Sequence, residues 1–456
     1  MVGNSPIQPL ILAAGKGTRM KSDLPKILLE IAGKPMLGHV LDAASQLASD
    51  LTSIVVTGFG SDQIQKAFPN CAFVAQTEQL GTGHAVQIAT DKLPEDSLVL
   101  VLYGDVPLIR AATLEAVIDA AVSSGFGLLT THLEDPAGYG RIVRDADGKV
   151  AFIVEHKDAS PDQHKITEVN TGILATSASN ITRWVHQLSN NNAQGEYYLT
   201  DIIAMAVAEG VSVKTAHPSD QFEVLGANDR IQLAELERFY QNRLAKDLMG
   251  GGVTLMDPSR IDIRGSLSVG TGVEIDVNSI FEGQVTLGDN VCIEANCIIR
   301  NAHIGDGSQI KAFTHIEGAT IANNVTVGPY ARLREGSELA HSSKVGNFVE
   351  IKKTKLGEGS KINHLSYVGD SVIGKNTNIG AGTITCNYDG VNKHQTIIGN
   401  SVFVGSNTAI VAPVKLADGS TIGAGSTITK DVDKETLALT RSKQSQIKNW
   451  KRPPKK

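Results

Sequence analysis

At 456 residues the chain exceeds what one hydrophobic core usually supports, so two or three domains are expected. A formal net charge of −6, with a basic run only at the C-terminal end, argues against a nucleic-acid or membrane partner. Four scattered cysteines give no disulfide framework, the first residues lack a secretion signal, and no run of eighteen apolar residues occurs; a cytoplasmic protein is expected.

The chain opens on an apolar strand that runs into a glycine turn, Leu10-Ile-Leu-Ala-Ala-Gly-Lys-Gly-Thr-Arg-Met20, with Pro9 acceptable as the first residue of that strand but no further in. Ile54–Thr57, Leu98–Leu102 and Gly127–Thr131 read as further strands among helical patterns, so residues 1–227 form an open, Rossmann-like α/β sheet. Its ligand is expected beyond the carboxyl ends of the strands. The turn completes neither a Walker A motif nor a dinucleotide fingerprint. Backbone N–H groups at Gly15 and Gly17 suit phosphate, and Lys16, Arg19 and Lys26 would neutralise it. Asp105 follows five apolar residues, which leaves two readings: a metal ligand at a strand end, or a solvated turn carboxylate before Pro107.

Between Asn228 and Leu248 apolar residues recur three or four apart at Leu233, Leu236, Tyr240, Leu244 and Leu248, one helix stripe that stops at Gly250-Gly-Gly252. Residues 228–252 are expected to form a linker helix about 30 Å long that separates two sites.

From about residue 269 an aliphatic residue returns nearly every six residues, from Val269, Ile275, Phe281 and Leu287 through to Ile422 and Ile428. Neither helix nor strand alternation has that period, so each unit is a short strand plus a turn, and three units make one coil of a parallel β-helix. Residues 253–456 should then stack about nine coils into a prism roughly 45 Å long. Cys292 and Cys297 fall within the beat and read as core rather than metal ligands. The beat is expected to break at Ala340–Lys344 and at Gly380–Thr396, where insertions carry function. His364 is either a general base, with Glu350 to orient it, or a structural histidine. Cys386 has no adjacent histidine to activate it as a nucleophile. The exposed faces of one prism and its polar insert favour an oligomer, and the tail Lys448–Lys456 reads as a solvated terminus.

Leu12-Ala-Ala-Gly-Lys-Gly-Thr-Arg19 with Pro25-Lys26 resembles the signature of sugar-1-phosphate nucleotidyltransferases. Gln76–Ala85, Leu102–Pro107, Gly138–Arg141, Val154–Lys157, Glu168–Gly172 and Asn190–Asp201 follow in the order of one family, the bacterial bifunctional N-acetylglucosamine-1-phosphate uridyltransferase/glucosamine-1-phosphate acetyltransferases. The six-residue units are similar to those of left-handed β-helix acyltransferases, so the resemblance covers essentially the whole chain and implies the β-helix's hand.

The resemblance implies that Leu12, Ala13, Ala14, Gly15, Gln76, Gly81 and Thr82 hold the uridine, that Tyr103 belongs to the same UTP/UDP-N-acetylglucosamine site, that Lys26 and Arg19 face the phosphates, and that Asp105 and Asn228 hold Mg²⁺. Gly140, Glu155 and Asn170 would grip the N-acetyl sugar. In the repeat half it implies Arg334, Lys352, Tyr367, Asn378 and Lys393 for glucosamine 1-phosphate, His364 as base, and Ala381, Asn387, Tyr388, Ser406, Ala424 and Arg441 for acetyl-CoA. Glu335 stands where the family commonly has proline. The resemblance further implies a homotrimer with acetyl sites between subunits, direct acetyl transfer without an acetyl-cysteine, and a product that feeds peptidoglycan and lipopolysaccharide synthesis. Two other readings are a single-activity nucleotidyltransferase with a structural repeat half, and a nucleotide-sugar sensor without turnover. Retention of Lys26, Asp105 and His364 argues against the sensor.

Overall fold

The computed structural model describes residues 5–47 and 51–455. The chain divides into two compact units, Met1–Tyr240 and Gln241–Lys456.

In the first unit a mixed sheet runs in the order Ser212–Ala216, Gly125–His132, Glu168–Ser177, Leu98–Tyr103, Ile7–Ala13, Ile54–Thr57, Ala72–Ala75. Glu168–Ser177 is antiparallel to both of its neighbours. Apolar side chains on the two faces of the sheet form separate cores, one around Leu10, Val101 and Trp184, the other around Ile11, Leu100 and Leu114. Pro9 is the third residue of its strand, further in than expected. Gly104 N and Leu98 N donate to Leu12 and Pro6, so even-numbered residues bond towards Leu98–Tyr103 and Pro9 faces the other side. There pairing begins only at Leu10↔Ile54, so the missing N–H of Pro9 breaks no ladder bond.

The helix Arg230–Gly250 gives Leu233 and Leu236 to the first unit's packing, and Leu244, Ala245 and Leu248 to the core of the second. Within the second unit the buried amide of Gln241 donates to Ile263 O and accepts from Ile263 N, both at 2.8 Å. It therefore covers the open edge of the first coil as another strand would.

The second unit is a parallel β-helix. One face stacks eleven strands from Thr254–Leu255 to Leu437–Ala438; the other two faces join through the long strands Ile261–Val269, Ser279–Leu287 and Ile298–Ile304. Every aliphatic named above from Ile275 to Ile428 lies in one continuous core. Contacts between neighbouring coils link residues 17 or 18 apart in sequence. Eleven strands on one face exceed the expected nine coils, because that face begins at Thr254–Leu255, ahead of Val269, and ends at Leu437–Ala438, past Ile428. The expected break at Ala340–Lys344 is absent: Val327 pairs with Val345 and Leu339 with Leu356 in ordinary register. The second interruption is real, and across it the bonded residues are 25 apart. Residues 441–455 are exposed, and Lys456 lies outside the described residues. No helix is long and apolar enough to cross a membrane among the described residues.

Candidate active sites

In the first unit a cavity of about 530 Å³ opens at the carboxyl ends of the central strands. Leu12, Ala13, Ala14 and Gly15 line it from the first strand, Gln76, Gly81 and Thr82 from one side, and Lys26, Tyr103 and Asp105 from the other. Gln76 Nε2 donates to Gly81 O at 3.1 Å, fixing the turn before Thr82. Lys26 projects from the short helix Lys26–Leu28, and its stem fills the space beside Gly17 (φ 58°), where a Cβ would come within 2.7 Å of Lys26 Cβ. The Lys26 ammonium pairs with Asp105 Oδ2 and donates to Asn228 Oδ1 at 3.2 Å. A carboxylate and an amide oxygen thus converge on one cation. Such a hard-oxygen, two-ligand set fits Mg²⁺, which takes its remaining ligands from water and substrate phosphates.

The sugar candidates are contiguous with this cavity. Strand Glu168–Ser177 changes register between Asn170 and Leu174, a bulge that re-aims Asn170. Gly172 (φ 86°) lies against the Tyr103 ring, where a Cβ would meet Cε2 at 2.4 Å. Asn170 Oδ1 accepts from Gly172 N at 3.0 Å, and Asn170 N donates to Gly140 O at 2.9 Å. The Glu155 carboxylate accepts from Thr200 Oγ1 at 2.9 Å. Burial raises its pKa, and Asp201, Asp158 and Glu196 add to the rise. Burial likewise raises the Tyr103 phenol, with Glu155 and Asp105 contributing. Arg19 is exposed and does not line the cavity. Lys16, Gln79 and Glu196 do line it; the last two lie inside motifs already quoted but had been given no role.

In the second unit the site candidates gather at two corners of the prism. At one corner Asn347 and His364 are register partners on adjacent coils. Ladder bonds Leu365 N→Asn347 O, Gly382 N→His364 O, Asn407 N→Ala381 O and Gly425 N→Ser406 O continue the column. His364, Ala381, Ser406 and Ala424 therefore stand one above another, and Arg441 Nη1 reaches Ala424 O at 3.1 Å. The His364 ring is exposed, with Nδ1 2.7 Å from Asn347 Oδ1. Glu350, expected to orient the ring, instead accepts from Arg334 Nη1 at 2.9 Å. A seventeen-residue step along the coils is what brings Asn347 to the histidine.

At the other corner a ladder of alternating charge climbs the coils, with Arg264, Glu282, Arg300 and Glu317 in register. Ion pairs join Arg264 to Glu282, Glu282 to Arg300, and Arg300 to Glu317. One residue beyond the paired Ile316, Leu333 and Ile351 come Glu317, Arg334 and Lys352, so the alternation ends with two cations in succession. Lys393, from the inserted loop, stands beside Lys352 and lowers its pKa, with Arg334 adding to the effect. A cavity of about 250 Å³ lies among Glu317, Arg334, Glu335, Lys352 and Lys353. Three neighbouring cations where the ladder calls for an anion are a set whose chemistry suits phosphate.

Tyr367 lies across Gly369, where a Cβ would meet its hydroxyl at 2.5 Å, and reaches towards Asn387. Asn387 is buried and donates to Asp370; Tyr388 is exposed on the insert. Asn378 belongs to the eleven-stranded face and stands apart from the faces that carry Arg334, Lys352 and Tyr367. Cys386 is a half-buried free thiol with no histidine partner among the described residues.

Three family models match the chain: the MobA-like NTP transferase domain over residues 9–146, the GMPPB C-terminal domain over 263–349, and the bacterial transferase hexapeptide (six repeats) over 395–430. The bifunctional protein GlmU of Marinobacter nauticus is 57% identical over 99% of this chain and 100% of its own length. GlmU of Cellvibrio japonicus is 56% identical over 98% of this chain and 99% of its own. GlmU of Acinetobacter baylyi is 53% identical over 98% of each.

Proposed function

Since the chain belongs to the family of bifunctional GlmU proteins, we propose that it performs two successive transfers: acetyl from acetyl-CoA to glucosamine 1-phosphate, then uridylyl from UTP to the N-acetylglucosamine 1-phosphate so formed. The observation that carries this reading is the pairing, in one chain matched end to end, of a cavity lined by a glycine turn, Lys26 and Asp105 in one unit with an exposed imidazole and a broken charge ladder in the other.

In the acetyl transfer, glucosamine 1-phosphate places its phosphate among Arg334, Lys352 and Lys393, with Tyr367 against the sugar. Asn347 Oδ1 accepts the Nδ1 proton and leaves Nε2 of His364 as the base. Nε2 takes a proton from the amine as its nitrogen attacks the thioester carbonyl; the C–N bond forms, the C–S bond breaks and CoA leaves as the thiol. The column Ala381, Ser406, Ala424 and Arg441 lies along the path of the acetyl-CoA chain, and a backbone N–H near Ala381 meets the developing oxyanion. Cys386 forms no acetyl intermediate. The separation of Asn378 from the other sugar-phosphate candidates supports a site completed by a second copy. So does an exposed stack at the His364 corner, Phe313 on Tyr330 at 4.8 Å and Tyr330 on Phe348 at 5.3 Å. A homotrimer built through the β-helix satisfies both.

In the uridylyl transfer, residues from Leu12 to Gly15 with Gln76, Gly81 and Thr82 hold UTP, and Tyr103, Gly140, Glu155 and Asn170 hold the sugar. The phosphate oxygen of the sugar attacks the α-phosphorus in line, and pyrophosphate leaves as the bond to the β-phosphate breaks. Lys26 neutralises charge at the phosphates, and Arg19 reaches them only if its exposed side chain swings inward. Asp105 and Asn228 would hold Mg²⁺, which when bound supplies charge neutralisation and alignment of the phosphates. The enzyme is cytoplasmic in this reading, and its product serves cell-wall precursor synthesis.

Release of CoA thiol tests the acetyl site. Glucosamine without its phosphate should lose on the order of a hundredfold in kcat/KM, because the contacts of the phosphate with Lys352, Lys393 and Arg334 are lost. Equal use of both amines would remove the phosphate receptor. Asn347→Ala should lower acetyl turnover about tenfold by freeing the ring's tautomer. Asn347→Asp should move the acid limb of the pH–rate profile up by about one pH unit, since a carboxylate favours imidazolium. An unmoved limb in the Asp variant would show that Asn347 does not set the base.

A further inference from the structure

Arg141 is 2% exposed, yet it has no carboxylate partner among the described residues. One nitrogen, Nη1, donates to Tyr139 O; Nη2 stands 3.5 Å from His156 Nδ1; Nε is buried with no partner. A buried, uncompensated guanidinium is expensive and is retained where the surroundings use it. The peptide it grips is the one entering Gly140. Because that peptide is trans, holding the Tyr139 carbonyl towards Arg141 turns the Gly140 N–H the opposite way. This N–H donates to no protein group among the described residues. Gly140 is also anchored from its other end, where its carbonyl accepts from Asn170 N at 2.9 Å, and a Cβ there would lie 3.4 Å from the Glu155 carboxylate. On the phosphate side, the Tyr139 phenol is raised by burial and by the charge of Asp105.

We propose that Arg141 is a positioning residue of the uridylyl site, which locks the Tyr139–Gly140 peptide so that the free Gly140 N–H is presented to the sugar phosphate. This rests on the reading of Gly140, Glu155 and Asn170 as the sugar subsite. Arg141 touches no substrate; it sets the orientation of a donor and lends its unpaired charge to an anionic ligand.

The test uses the full-length protein and compares wild type, Arg141→Lys and Arg141→Gln in pyrophosphate release, with KM measured separately for N-acetylglucosamine 1-phosphate and for UTP. Loss of one presented hydrogen bond and a buried charge should raise the sugar-phosphate KM on the order of tenfold in Arg141→Gln, with the KM for UTP within about twofold of wild type. Arg141→Lys, which keeps the charge and one donor, should recover part of that loss. The proposal is overturned if both KM values rise together, if neither moves, or if both variants unfold, since each outcome marks a purely structural arginine. Failure of the underlying reading shows elsewhere, as a wild-type protein that releases no pyrophosphate with this sugar phosphate.

Discussion

His364→Ala lowers acetyl transfer by a factor on the order of 10² to 10⁴, the range supplied by a positioned general base, and leaves uridylyl transfer from supplied N-acetylglucosamine 1-phosphate at its wild-type rate. The ring is exposed at a coil corner and hydrogen-bonds to Asn347, so its removal takes nothing from the core formed by Ile362, Ile379 and their neighbours. Thermal stability should therefore stay within about 0.5 kcal/mol, as for other surface substitutions. Thiol release measures the first reaction and pyrophosphate release the second. Acetyl transfer that survives undiminished would return the repeat half to a structural role and revive the single-activity alternative.

The mirror result is expected of Asp105→Ala. Uridylyl transfer should fall on the order of a thousandfold, about 4 kcal/mol of barrier, with acetyl transfer unchanged. Two effects combine. The carboxylate converges with the Asn228 amide oxygen on one point of the cavity, and it is the ion-pair partner of Lys26. Without it the ammonium loses the contact that holds it in place, and the donor set for a divalent cation is halved. Asp105→Asn keeps the shape without the charge and should recover little. A variant that keeps most of its pyrophosphate release, at unchanged Mg²⁺ requirement, would identify Asp105 as the solvated turn acid instead.

The stacked half of the fold is legible because one inward aliphatic per strand leaves a six-residue mark that nothing else produces. It says less about where the column begins and ends: the first and last strands of one face, Thr254–Leu255 and Leu437–Ala438, lie outside the run from Val269 to Ile428. Polarity alone misled at Ala340–Lys344, where a run of small polar residues is an ordinary turn; the unbroken six-residue step from Leu339 to Val345 was the better guide. Pro9 shows a similar limit, since its place in a strand depends on which neighbour its nitrogen faces, and that is fixed by pairing rather than by composition.

In the candidate sites, Lys26 and Asp105 stand out because charged residues follow apolar runs or glycine turns at strand ends. The partner of His364 does not stand out. Glu350 is nearer in sequence and of the expected chemistry, whereas Asn347 is related to His364 only through the coil repeat, and Glu350 is occupied by Arg334. The broken charge ladder is invisible until Glu317, Arg334 and Lys352 are placed in one column. Arg141 is hidden for a simpler reason: a charged residue beside a glycine reads as solvated, and only the fold buries it.

The most direct measurement gives the purified protein glucosamine 1-phosphate, acetyl-CoA, UTP and Mg²⁺, and follows CoA thiol, pyrophosphate and UDP-N-acetylglucosamine together. The account predicts equal yields of all three. Omission of acetyl-CoA should abolish the sugar nucleotide, and added N-acetylglucosamine 1-phosphate should restore it. UDP-sugar formed from glucosamine 1-phosphate at full rate without acetyl-CoA, or thiol released without any sugar nucleotide following, would contradict the claim that one chain carries both transfers in that order.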